Sequence, residues 1–345
     1  MPGDVRLLVA GQAWDAWTSY DLDADYLTAA DGWTVSARNP DAVQLATLVL
    51  GSPVQILVDT TPILTGTLER IESSRSLDAG HVISLSGRDL AGALVDASPG
   101  TAWAIPSLSL AAAAQKILAE LAVPAVVLAA AEANVPRLIL RPEPGESFWD
   151  VLVRYARKLR LGVWMDPVGV LHIDRPDYLS PPVAELVHAT SLATAGGTNV
   201  MSIRYVDDIT GRRSPVTVVG QSAGGGLFAA STVLVGAAID PTLTVIRPAL
   251  VDDGDINSVL EATDRARWEV ARRQFEGKHL TVTVQGHLAM PGVPWSPGQM
   301  VQVRDELHGI IGPWWVRARR FSRSLSTGST TELVLHPPNL YLPAV

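Results

Sequence analysis

The chain has 345 residues, enough for two or three domains of ordinary size that need neither metal nor disulfide to hold a core. It contains no cysteine, which excludes disulfides, thiol nucleophiles and Cys-ligated metals, and its 27 Lys and Arg against 35 Asp and Glu (net −8) include no basic block of the kind that grips nucleic-acid phosphate. Only 18% of residues are charged while 47% are hydrophobic and 10 are Trp, a balance that predicts faces covered by a neighbouring protein and hence an oligomer.

The N-terminal "MPGDVRLLVAGQAW" carries Asp4 and Arg6 and only a brief apolar run, too short for a signal-peptide core, and no stretch approaches the ~18 apolar residues of a membrane helix. The expectation is a soluble protein without a standard export signal or membrane span. From Val5 to about Asp96 strands and turns alternate: "PVQILVD", "ILTGTLERIESS" and "HVISLSG" have period-two patterning, which predicts a first β-barrel-like domain over 1–97.

A Pro/Gly-containing stretch then leads into "SLAAAAQKILAEL", where Ser109 caps a helix with Leu110, Ala114, Ile117, Leu118 and Leu121 on one face. In "GESFWDVLVRYARKLRLG", Ser147 and Asp150 form a capping box, Phe148, Leu152, Tyr155 and Leu159 form the buried stripe, and Gly162 is placed to end the helix in a left-handed turn. "VWMDPVGVLHID" is a hairpin turning at Asp166 to Gly169, so a small α/β module spans 98–178. The remainder, 179–345, reads as a second β-barrel-like domain with a Gly-rich loop around Gly224 and an inserted helix over 258–276 ended by Gly277, supported by Glu261/Arg265 and Glu269/Arg273 pairs. The fold class is thus α+β and β-rich.

Two stretches echo each other. Residues 51–77 and 298–325 both begin with Gly, run through Val54-Gln55-Ile56 or Val301-Gln302-Val303, and reach the same tetrapeptide, Ser74 to Leu77 or Ser322 to Leu325, at a constant offset of 247 to 248. Such an echo points to duplication. Two like β domains per chain allow a ring of three chains to present six quasi-equivalent sheets.

Arg88-Asp89 is the most conspicuous charged pair. A catalytic role needs a nucleophile or second acid, and none is signalled; the favoured reading is a strut in which Gly87 turns the backbone while Arg88 and Asp89 tie strand, helix and neighbouring chain, with Asp96 close by. Trp314-Trp315 reads as packing or interface rather than a sugar platform. The adjacent acids Asp207-Asp208 and Asp252-Asp253 sit beside turn residues and point to opposite sides of the chain, so solvated turns are favoured over a glycosidase pair or metal site. The histidines have no ligand spacing, Gly196-Gly197 and Gly224 to Gly226 lack a phosphate-cradle frame, and no cofactor is expected.

In their succession, "SGRDLAGALVDAS", the Ser109 helix, "SFWDVLVRYARKLRLGVWMDPVGVLHIDRP", "ATDRARWEVARRQFEG" and "PGQMVQVRDE" to "LHPPNLYLP" resemble the baseplate hub proteins of contractile-tailed, Mu-like phages, the late control protein family. The resemblance implies no catalysis and a homotrimer in the virion tail baseplate, assembled in the host cytoplasm. Two barrel-like domains per chain would form a pseudo-sixfold ring joining a hexameric tail tube to a trimeric spike. Its expected partners are its own copies, the tail tube protein, other baseplate proteins and a spike on a separate polypeptide, with DNA only in transit. A permanent trimer of this type is expected to bury more than roughly 2,000 Å² per interface. Two alternatives stand beside it: a tail-associated cell-wall or polysaccharide hydrolase, which needs two positioned carboxylates in a cleft, and a host-surface binding module, which needs solvent-exposed tryptophans on one face.

Overall fold

The computed structural model describes residues 3–14, 17–38, 48–77, 80–100, 105–135, 138–140, 142–190, 197–222, 232–254, 256–324 and 328–340. The expected Gly-rich loop around Gly224 lies outside them. The chain is a β-rich α+β fold that packs as two units, residues 1–203 with 282–334, and residues 204–281 with 335–345.

The first unit begins with β1 (Val5–Val9), β2 (Gln12–Trp14), β3 (Ser19–Asp25), β4 (Gly32–Arg38), β5 (Pro53–Val58), β6 (Thr61–Ser76) and β7 (Gly80–Asp89). Alternate residues are buried: Tyr20, Leu22 and Ala24 on β3, Trp33, Val35 and Ala37 on β4, Val54, Ile56 and Val58 on β5. This is the period-two pattern of a sheet with one covered face.

The α/β part follows with α1 (Gly92–Asp96), β8 (Ile105–Leu108), α2 (Leu110–Glu120), β9 (Val126–Ala129), β10 (Leu138–Leu140), α3 (Phe148–Lys158), β11 (Gly162–Met165) and β12 (Val170–Asp174). Both expected caps form: Ser109 Oγ accepts from Ala112 N–H at 3.2 Å and Ser147 Oγ from Asp150 N–H at 3.1 Å. Leu110, Ala114, Ile117 and Leu118 pack in one core with Phe148, Leu152 and Tyr155. The hairpin turns where expected, with Gly169 at φ +88 and Asp166 Oδ1 accepting from the N–H groups of Val168 and Val170. Gly162 does not end α3. The left-handed residue is Arg160, at φ +58, with Leu161 N–H donating back to Ala156 C=O at 2.9 Å, and Gly162 opens β11 instead.

Later come β13 (Glu185–His188), β14 (Ser202–Asp207), β15 (Val216–Ser222), β16 (Thr232–Ala238), β17 (Ala249–Asp252), α4 (Val259–Gly277), β18 (Lys278–Gln285), β19 (Leu288–Met290), β20 (Val293–Pro294), β21 (Met300–Asp305), β22 (Ile310–Ser324) and β23 (Gly328–His336). The large sheet runs β14-β18-β23-β22-β3-β4-β7-β6-β5-β1-β2, with β21 and β13 attached beside β22.

In the second unit, β16-β15-β17 form a sheet packed on α4 through Val218, Leu234, Ile256, Ala262 and Ala266. A Cβ at Gly236 would lie 2.2 Å from the Thr263 amide nitrogen, so only glycine lets the helix backbone come this close to β16. Ser258 caps α4 by accepting from Glu261 N–H at 3.1 Å, and Glu261 returns a bond to Asn257 N–H at 2.9 Å. Glu269 pairs with Arg273 as expected and also with Arg265 and Arg272, whereas Arg265 takes Asp253 and Glu269 rather than Glu261. Asp208 N–H donates to Gly277 C=O at 2.7 Å, which brings the residue after β14 to the residue before β18.

Candidate functional site

Arg88 stands near the end of β7, opposite Gly32 of β4 and Thr67 of β6. Its guanidinium donates to Glu69 on β6 (Nε to Oε2 2.9 Å, Nη2 to Oε1 2.9 Å) and to Asp96 at the end of α1 (Nη1 to Oδ1 3.0 Å, Nη2 to Oδ2 2.5 Å). These hydrogen bonds hold Asp96 below the usual carboxylate range and push Arg88 further above its own. The three side chains are 30%, 35% and 62% exposed, so solvent screening limits the cluster to about 1 kcal/mol or less per pair. Arg88 thus ties strand to helix.

Gly87 does not turn the chain. It lies inside β7, paired with Trp33 and Leu68, where a Cβ would meet Thr67 C=O at 1.9 Å and the Trp33 ring at 3.0 Å. The glycine serves close approach of two strands at the bulge between Leu68 and Arg70.

Asp89 points the other way, into the core, as successive strand residues must. It is 6% exposed and accepts from Ala91 N–H at 3.0 Å, holding the first turn of α1. Asp31 approaches it, accepting from Asp25 N–H at 3.0 Å while Asp89 N–H donates to Asp31 C=O at 2.9 Å. Loss of hydration is the main cause that raises both carboxyls, Asp31 to about 7 and Asp89 to about 8, and the field of Asp31 adds to the rise on Asp89. Arg319 of β22, 3% exposed, borders the same cavity of about 90 Å³ and spends its guanidinium on the carbonyls of Leu22 and Ile63, both at 3.0 Å. Burial lowers it to about 10. Sequence reading missed Asp31 and Arg319, which lie 58 residues before and 230 after Asp89 in the chain.

Trp315 is fully buried and Trp314 is 6% exposed. Trp315 meets Tyr26 and Tyr178 edge-on, with ring centroids 4.9 and 5.6 Å away, the geometry aromatic quadrupoles favour. Among the described residues no tryptophan is exposed.

Three of the four adjacent acids serve local structure. Asp207 accepts from Tyr205 Oη at 2.9 Å, Asp208 accepts from the N–H and hydroxyl of Thr210, and Asp253 pairs with Arg265 at 3.2 Å. Among the described residues no group of three or more His, Asp or Glu is placed to hold a metal ion.

The sequence echo is a repeat of strand arrangement. The order β3-β4-β7-β6-β5 recurs as β14-β18-β23-β22-β21. Registers agree as well: Val54↔Gly66, Gln55↔Thr65 and Ile56↔Leu64 in the first set match Val301↔Trp314, Gln302↔Pro313 and Val303↔Gly312 in the second. Ser36 C=O accepts from Thr18 N–H, and Thr283 C=O from Met201 N–H, which aligns the starts of β3 and β14. The sets differ in what joins their first two strands, a short loop between β3 and β4 but residues 208–277 between β14 and β18.

Long strand β22 pairs with β23, β21 and β3, and long strand β6 with β7 and β5. On β22, Ile310 to Trp315 face β21 and Ala318 to Arg323 face β3. On β6, Thr61 to Thr67 face β5, while Arg70 to Ser76 pair only with β7 on the other side. Among the described residues no strand covers that outer half.

Four family models match successive parts of the chain: Mu phage baseplate assembly protein GpP-like, N-terminal, at residues 4–89; baseplate hub protein gp44-like, second domain, at 91–175; tail protein NMB1110-like, third domain, at 212–268; and tail protein, C-terminal domain, at 273–337. The chain is similar to a solved tail protein of Neisseria meningitidis, at 32% identity over 99% of each chain with a TM-score of 0.86. It is also similar to the 43 kDa tail protein of prophage MuSo2 from Shewanella oneidensis, at 19% identity over 98% of this chain and 99% of that one, TM-score 0.83. Its fold is shared by an Escherichia coli type VI secretion component described as similar to the T4 tail proteins gp27 and gp5, at 11% identity over 98% and 78%, TM-score 0.57. No curated protein matches.

Proposed function

The chain belongs to the family of Mu-like phage baseplate and tail proteins, and from this premise we propose that three copies form a pseudo-sixfold hub between a hexameric tail tube and a trimeric spike. The observation that carries the reading is the repeated strand set with matching registers within one chain. A threefold object can meet a sixfold one only if each subunit offers two equivalent surfaces, and the duplication supplies them. In this reading residues 1–97 and 179–345 are the two tube domains and 98–178 the module between them.

The hub works as a symmetry adapter and conduit in the virion tail baseplate, assembled in the host cytoplasm, with the tail tube, spike and other baseplate proteins as neighbours. Its role is structural rather than catalytic, which the similarity to phage tail proteins supports. A net charge of −8 per chain suits a passage for DNA, because acidic walls repel phosphate rather than exchanging counterions with it. The aromatic side chains of the described residues are spent on packing, which argues for a scaffold over a host-surface binding face.

Sedimentation velocity on the purified chain tests the proposal. The expected species has three times the 36.7 kDa chain mass. A stable dimer would overturn it.

A further inference from the structure

The outer half of β6 is the counterpart, by register, of the part of β22 that takes β3. Residues Arg70 to Arg75 correspond to Ala318 to Arg323, and the latter pair with β3 as Ala318↔Asp25, Arg319↔Ala24, Arg320↔Asp23, Phe321↔Leu22, Ser322↔Asp21 and Arg323↔Tyr20. The counterpart of β3 is β14, which among the described residues ends the sheet and has β18 on one side only. Among its described residues each chain therefore carries one unfilled acceptor edge and one unfilled donor strand of the same kind.

We propose that β14 of a second copy adds antiparallel to the outer half of β6, an inference that rests on the trimeric reading and specifies its seam. Carrying the β22–β3 register across the repeat sets Arg70 opposite Asp208 of the other copy, Ile71 opposite Asp207, Glu72 opposite Val206, Ser73 opposite Tyr205, Ser74 opposite Arg204 and Arg75 opposite Ile203. The contact is head-to-tail, so each copy gives β14 to one neighbour and β6 to the other, and three copies close the set. It also covers two open sheet edges that would otherwise be templates for uncontrolled pairing.

Charge supports the register independently. Within the chain, Arg320 on β22 donates to Asp21 on β3, Nε to Oδ1 at 2.8 Å and to Oδ2 at 2.9 Å. The corresponding residues across the seam are Glu72 on β6 and Arg204 on β14, the same diagonal pair with its signs exchanged. Arg70 also meets Asp208 with opposite charge, and no like charges stand directly opposed. Glu72 is 58% exposed in the single chain, where it is held by its neighbour Arg70 at 2.6 Å, and Arg204 is exposed, so both remain accessible to a partner.

The absence of cysteine makes a cross-linking test clean. Ser73→Cys chains mixed with Tyr205→Cys chains should form a disulfide-linked pair under mild oxidation, and the double variant should close into a three-chain species on a non-reducing gel. Ser74→Cys, which faces the other side of the strand, should link far less. Glu72→Arg alone should weaken association by about tenfold, and Glu72→Arg with Arg204→Glu should restore it. A trimer that shows neither the Ser73–Tyr205 link nor charge-swap rescue would overturn this seam while leaving the trimer standing. A chain in which neither sedimentation nor cross-linking detects a trimer would overturn both.

Discussion

Arg320 of β22 grips Asp21 of β3 across 299 residues of sequence, and the two strands they join belong to different copies of the internal repeat. The pair sits on the one strand seam that the described residues make between the two repeats. Its side chains are 56% and 35% exposed, so its value lies in register more than in energy. In a double-mutant cycle of Arg320→Gln and Asp21→Asn, urea denaturation should give a coupling of about 0.2–1 kcal/mol, falling at high salt.

Asp31 and Asp89 predict an unusual pH response. Asp31 and Asp89 have folded pKa values raised above their unfolded ones, so between about pH 4 and about pH 8 the native state holds more protons than the unfolded state and stability falls as pH rises. Asp89→Asn keeps an acceptor for Ala91 N–H and removes the titration. Its stability relative to the natural chain should therefore increase from pH 5 to pH 8 in chemical denaturation; no change across that window would mean that Asp89 is solvated. His287 acts in the opposite sense over a lower range. Burial between Tyr20 and Thr331 lowers it to about 4, so its contribution is lost as pH falls from about 6.5 to 4, and comparing variant with natural chain cancels it.

Gly87→Ala should destabilise by about 1–3 kcal/mol or more, because the contact at 1.9 Å is with a backbone oxygen that cannot swing away. Gly32→Ala, with no atom within 4 Å of its Cβ, should stay within about 0.5 kcal/mol. Thermal unfolding of the two variants side by side checks the claim.

Trp315→Ala removes a fully buried ring packed on Tyr26 and Tyr178 and should cost about 3–5 kcal/mol. An effect under about 1 kcal/mol would show that the ring faces a surface, in which case it belongs to an interface between chains rather than to the core.

Sequence by itself determined whatever depends on neighbours a few residues apart. The caps at Ser109 and Ser147 and the Asp166 to Gly169 turn are short-range hydrogen-bond devices, and each is legible because the side chain reaches only its own next turn. The echo at offset 247 to 248 was legible too, since duplicated strands keep their residues in step. Tertiary structure alone decided which edges meet. That β22 runs past β21 to take β3, that Asp31, Asp89 and Arg319 share one cavity, and that Gly87 is a crossing point rather than a turn all depend on strands brought together over 20 to about 300 residues. Such pairings are selected by burial and register across the whole sheet, and a strand's own residues record only that one of its faces is covered, not by what.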